Sequence, residues 1–240
     1  VVRWLVESTG ARVDAVEENS RTALALACVM GQIEVVRCIN SLSATRSLQI
    51  DDRIGRHGAS QLHEAAAGGH VYLIQYLVEE SSAQVEVTDD LGRTPLMIAA
   101  EKNRRAAVAW LVNKAGANVH ATEPESGATA LYMACAAGAL SVVTFLVEHA
   151  GALDVFKHAI LHGPESFALQ GNPLHAACRE GHTEVVRYLV LVGGISANLR
   201  DSAQRTPLHW ACLCGHVELA QQLIDELGAD VTAKDAAGRR

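Results

Sequence analysis

Two clusters of side chains could carry chemistry. His209, Cys212, Cys214 and His216 all bear atoms that bind zinc, and positions 209, 212 and 216 share a helical face by spacing. His175, Cys178 and His182 set a thiol between two imidazoles, the residue types of a nucleophile and its base. Both clusters also have a plainer explanation, because the same positions recur elsewhere in the chain. Cys212 falls in the slot of Cys28, Ala66, Ala100, Cys135 and Cys178, a place for a small buried residue, where free cysteine packs as a small hydrophobe. Structural zinc needs ligands converging from separate turns, and a reactive thiolate needs exposure and an electropositive setting. Neither metal, cofactor nor catalysis is expected. Glu79-Glu80 and Asp89-Asp90 are adjacent carboxylates, expected on loops as solvated charges, whereas a calcium loop needs ligands at alternate positions. No P-loop, G-x-G-x-x-G or G-x-S-x-G occurs.

The elements that would position these residues repeat. Six segments align on Leu24, Leu62, Leu96, Leu131, Leu174 and Leu208, with spacings of 38, 34, 35, 43 and 34 residues. They start near Thr22, Ser60, Thr94, Thr129, Asn172 and Thr206. Thr94, Thr129 and Thr206 suit helix N-caps, and Pro95, Pro173 and Pro207 suit the first helical position. Gly31, Gly69, Gly138, Gly181 and Gly215 suit left-handed helix ends, with Asn103 as the substitute in the third segment. A second amphipathic helix follows each turn, clearest over 34–37, 71–78 and 183–190. Stretches such as 116–119 and 228–231 read as turns into an extended hairpin finger.

Over 206–216 the sequence TPLHWACLCGH nearly completes T-P-L-H-x-A-A-x-x-G-H, and the chain resembles the ankyrin-repeat family over almost its whole length. The resemblance implies an all-α solenoid of stacked helix–turn–helix units with β-hairpin fingers. Residues 1–240 would form one such domain, six full repeats with partial repeats at both ends. Neither end shows a polar capping repeat, so a piece of a longer protein is expected. Met97, Tyr132 and Ala25 replace the signature histidine and should lose its side-chain bonds. Insertions at 41–57 and 154–170 lengthen two links. The second carries Phe156, Ile160, Leu161 and Phe167, which would tuck back on the stack or form a partner-binding loop.

Composition agrees with short packed helices: 49 % of residues are hydrophobic, 20 % charged and only 4 % aromatic. A net charge of −7 opposes nucleic-acid binding. Six cysteines without paired spacing suit a reducing compartment, the cytosol or nucleus. Residues 126–147 lack charge and are long enough to span a bilayer, but they align with the other repeats and break at Gly138. No membrane insertion and no small-molecule substrate are expected.

The resemblance further implies a protein or peptide partner held on a concave face of finger tips and first helices. Carried over by position, the fingers contribute Arg21, Asp90, Leu91, Arg93, Ser202, Ala203 and Arg205. The first helices contribute Val29, Met30, Glu101, Lys102, Ala136, Ala137, Arg179, Glu180 and Leu213. Met30, Arg93, Arg179, Arg205 and Trp210 are the expected anchors, Trp210 serving core packing or binding. Reversing Arg93 and Arg179 to Glu should then weaken binding without lowering the melting temperature. The chain would act as a scaffold, or as the regulatory arm of a larger kinase, ubiquitin ligase or channel.

Overall fold

Each repeat begins where a polar side chain caps a short helix. The hydroxyls of Thr22, Thr94, Thr129 and Thr206 accept the amides of Ala25, Met97, Tyr132 and His209, and Asn172 accepts those of Leu174 and His175. The computed structural model describes residues 15, 22–43, 51–152 and 172–240. Twelve α-helices run through them in pairs. The first helices are α1 (Ala23–Val29), α3 (Gln61–Gly68), α5 (Pro95–Glu101), α7 (Ala130–Ala136), α9 (Pro173–Glu180) and α11 (Pro207–Leu213). The second helices are α2 (Ile33–Ser43), α4 (Val71–Gln75, prolonged by a π turn over Tyr76–Glu80), α6 (Arg105–Asn113), α8 (Leu140–Glu148), α10 (Thr183–Leu191) and α12 (Val217–Asp225). The insertion at 154–170 lies outside the described residues, as does 44–50 of the other.

Helices of this length are marginal alone, so stacking supplies their stability. The chain divides into two units, Val1–Asn118 and Val119–Arg240. In the first, α1 packs on α3 and α3 on α5; in the second, α7 packs on α9 and α9 on α11. Small residues permit the close approach: Cys28, Ala66, Ala100, Cys135 and Cys178 are all fully buried. The sixth member of that slot departs from expectation. Cys212 is exposed, because among the described residues no further first helix covers α11.

The helix ends follow the sequence. Asn103, with a φ of 56°, stands among left-handed glycines such as Gly69 at 80°. A Cβ on Gly69 would lie 2.8 Å from Arg104 Cδ. Arg104 explains that crowding. Its Nε donates to the carbonyl of Ala67 at 2.9 Å, as Nε2 of His70, His182 and His216 donates to Val29, Ala136 and Arg179. Each bond ties the start of a second helix to the end of the first helix of the repeat before it.

The signature histidines tie forward. Nε2 of His63, His175 and His209 faces the carbonyls of Arg93, Arg205 and Arg239 at 2.8, 3.2 and 3.2 Å. A carbonyl only accepts, so Nε2 holds the proton, and Nδ1 accepts the amides of Ser60, Asn172 and Thr206. Met97 and Ala25 are buried without such a bond, as expected from their side chains.

Among the described residues the fingers are turns rather than strand ladders. Three of them, 89–93, 201–205 and 235–239, share one construction. The first Asp accepts two amides on Oδ1, including that of the Arg four residues on, and binds its guanidinium through Oδ2. Adjacent fingers are joined by Asp90 N donating to His57 O and Ala236 N to Ala203 O. Near the end of the first insertion, buried Ile54 takes the Thr22 amide on its carbonyl at 3.1 Å.

Candidate partner-binding surfaces

In the first unit three of the expected residues, Arg93, Glu101 and Lys102, share one ionic network. Arg93 grips Asp89 through Nε and a terminal nitrogen at 2.9 and 2.8 Å, and its other terminal nitrogen reaches Glu101 at 3.5 Å. Glu101 also takes Lys102 Nζ at 2.8 Å. The side chain of Asp89 is 1 % exposed and that of Arg93 20 %. Asp89 and Asp90, expected as a pair of solvated charges, therefore part company: Asp89 is a buried anchor, while exposed Asp90 pairs with Arg53. Leu91 is exposed in the same finger, and Met30, at the end of α1, is 65 % exposed. Arg21 lies outside the described residues.

In the second unit Arg205 and Trp210 form the matching corner. Arg205 Nε donates to Asp201 at 2.8 Å, its guanidinium lies 4.0 Å from the centre of the Trp210 ring, and Trp210 Nε1 donates to the same Asp201 oxygen at 3.1 Å. Trp210 is thus half-buried against the finger. On α9, Arg179 donates to Glu180 at 2.9 Å and shares a hydrogen bond with Tyr132 of α7. Tyr132 has given up the histidine's place for a bond to the neighbouring first helix. Leu213 is 65 % exposed, and Ser202 and Ala203 sit at the finger tip.

These contacts change one expectation. Arg93 and Arg205 are held by buried carboxylates, so reversing Arg93 would strip Asp89 of its counter-charge and destabilise the finger. The sequence did carry the signal, an Asp four residues before an Arg at 89, 201 and 235. Burial also holds Cys178 as a thiol by pushing its pKa up, and raises Cys28 to about 12. His209 and His216 spend Nε2 on backbone carbonyls. Among the described residues no trio of His, Cys, Asp or Glu is grouped to hold a metal.

Paired caps, stacked short helices and repeated fingers define a helical-repeat protein. The sequence profile for ankyrin repeats (3 copies) matches residues 38–123, 62–157 and 150–235, and the chain belongs to that family. It is 32 % identical over 179 residues to the ankyrin repeat and KH domain-containing protein mask-1 of Caenorhabditis elegans, covering 73 % of this chain and 6 % of that protein. To human Rabankyrin-5 it is 29 % identical over 187 residues, 77 % of this chain and 15 % of that protein. Among solved structures it is similar to the ankyrin repeat domain of human ASB11, with a TM-score of 0.68, 26 % identity, and coverage of 91 % and 89 %. That of Bcl-3, at 21 % identity and a TM-score of 0.67, covers 92 % of each chain and supports the fold alone. The chain therefore spans a small part of the curated relatives it matches. Ankyrin repeats are in general protein–protein interaction modules and typically non-catalytic. No helix among the described residues is long and apolar enough to cross a membrane.

Proposed function

We propose that the chain is a scaffold that holds a partner protein or peptide on its fingers and first helices, the concave side of an ankyrin stack, in the cytosol or nucleus. The observation that carries this is the corner of Arg205 and Trp210, two side chains fixed in place by Asp201 beside exposed Leu213. Such groups bind at low entropic cost because their rotamers are already restrained. In the first unit Met30, Leu91, Lys102 and the Asp90 edge are the corresponding exposed groups, and Arg179 with Glu180 adds a charged pair in the second. The acidic net charge disfavours nucleic acid as the partner, and no cofactor or small-molecule substrate enters this reading.

Affinity purification from native extract tests it, comparing the chain with Arg179→Glu and Leu213→Asp variants. Loss of the same protein from both variants, with unchanged melting, supports the surface. Identical recoveries from all three would remove it. A second reading is favoured by the short share, 6 to 15 %, of those relatives that the chain covers. In it the repeats are the recruiting or regulatory arm of a longer kinase, ubiquitin ligase or channel, whose activity resides elsewhere in the polypeptide.

A further inference from the structure

Among the backward ties, the one made by Arg104 leaves donors over. A neutral imidazole has a single N–H, and His70, His182 and His216 each use theirs on a carbonyl. Arg104 makes the same tie through Nε, to Ala67 at 2.9 Å. Its stem lies across Gly69, where a Cβ would meet Cδ, Cγ and Cβ of the arginine at 2.8, 3.2 and 3.3 Å. The tie takes only the Nε–H of a guanidinium that carries four more N–H groups on its two terminal nitrogens. Among the described residues those nitrogens have no hydrogen bond or ion pair, and Arg104 is exposed. What remains is a planar, permanently charged fork on a stem held at two points, the geometry that takes a carboxylate through two parallel bonds.

The surroundings favour a ligand of the same sign. Lys102 closes α5 two residues earlier, its side chain 50 % exposed, and it shares Glu101 with Arg93. One carboxylate thus serves two cations, and none serves Arg104. The turn of the preceding repeat, Gly68-Gly69-His70, has no acidic residue, and its glycines leave half-exposed bare backbone beside the fork. Arg105, the first residue of α6, is already engaged and is not needed for the site.

We propose that Arg104 and Lys102 receive the carboxylates of an acidic segment in the partner protein, which crosses the edge of the first unit over Gly68 and Gly69. The inference rests on the protein-binding reading and gives the partner a charge. It also adds the turns between paired helices to the fingers and first helices as places of contact. Exposed charges of this kind govern partner choice and encounter rate more than affinity.

The test is a nuclear magnetic resonance titration of the isotope-labelled 240-residue chain. The probe is a Glu-rich peptide of roughly 12 residues, long enough when extended to cross several repeats. The Nε–H signal of Arg104 and the amides of Gly68 and Gly69 should shift and saturate. A control peptide with Lys at every Glu should leave them in place. Affinity should fall several-fold between about 50 and about 300 mM salt. Arg104→His restores the side chain that the other repeats use for the tie, so the urea midpoint should hold while affinity drops about tenfold. Lys102→Glu should weaken binding by a similar factor. An Arg104→His variant that binds as tightly as the parent overturns the proposal. Tighter binding of a single-stranded oligonucleotide of equal charge, at equal salt, also overturns it. If Arg104→His lowers the urea midpoint, Lys102→Glu decides alone, its loss of affinity supporting the site and unchanged affinity removing it. If the peptide fails while Arg179→Glu still loses its extract partner, only the acidic-segment proposal falls.

Discussion

The guanidinium of Arg205 stacks 4.0 Å over the ring of Trp210, and both donate to Asp201. That shared carboxylate accepts two backbone amides as well, so the finger at 201–205 and helix α11 are keyed to one buried charge. Asp201→Ala removes all four bonds and should cost about 2–4 kcal/mol in urea unfolding. Trp210→Phe keeps the stacking and loses one charge-assisted bond, costing about 1–2 kcal/mol. Equal costs for the two would show that the carboxylate is not the keystone.

Arg93 and Lys102 both contact Glu101, yet only Arg93 also holds a buried partner. Arg93→Glu places two carboxylates together inside the finger and should lower stability by about 2–4 kcal/mol. Lys102→Glu, on the surface, should change it by less than about 1 kcal/mol. Chemical denaturation of the two variants in parallel distinguishes a structural arginine from an exposed, weakly held lysine.

His63 and His175 have pKa values lowered chiefly by burial. Their folded forms are neutral, with Nδ1 already accepting a backbone amide. Protonation is thus easier in the unfolded chain. Stability from these sites is complete above the ordinary histidine value of about 6.5 and declines as pH falls below it, levelling beneath the folded-state values. The urea midpoint should drop between about pH 7.5 and 5, and a His175→Gln variant should show a shallower dependence. An unchanged slope in that variant would assign the acid sensitivity elsewhere.

Gln204 adopts a φ of 59°, where the equivalent residues of the other two fingers of this construction, Gly92 and Gly238, stand at 74° and 78°. A side chain pays for that left-handed conformation, so Gln204→Gly should stabilise the second unit by about 0.5–1 kcal/mol. Thermal melting would show the gain, and a loss would mean that the Gln side chain makes a contact worth more than the strain.

Features set by neighbouring residues were the legible ones. Threonine caps, first-turn prolines and the left-handed Asn103 are local, and each stands where the pattern put it. The small-residue slot held wherever another first helix follows, and failed at Cys212 because burial there depends on the next element and not on the residue. The candidate surfaces were harder to read. Arg93 and Arg205 occupy exposed-looking finger positions, and the Asp four residues before each gains its meaning only in the folded turn, where the carboxylate is buried against the guanidinium. Arg104 gave no histidine signal, yet its Nε does the histidine's work on Ala67.

The backward ties span 41 residues for His70 to Val29, 37 for Arg104 to Ala67, 46 for His182 to Ala136 and 37 for His216 to Arg179. The donor and acceptor meet at the same pair of places each time, whatever length of chain runs between them. Register between neighbouring repeats is therefore gauged across space, and the intervening stretch is free to lengthen at a cost that grows only as the logarithm of its size. Links such as 41–57 and 154–170 can therefore be long while the ties on either side of them keep to the same two places.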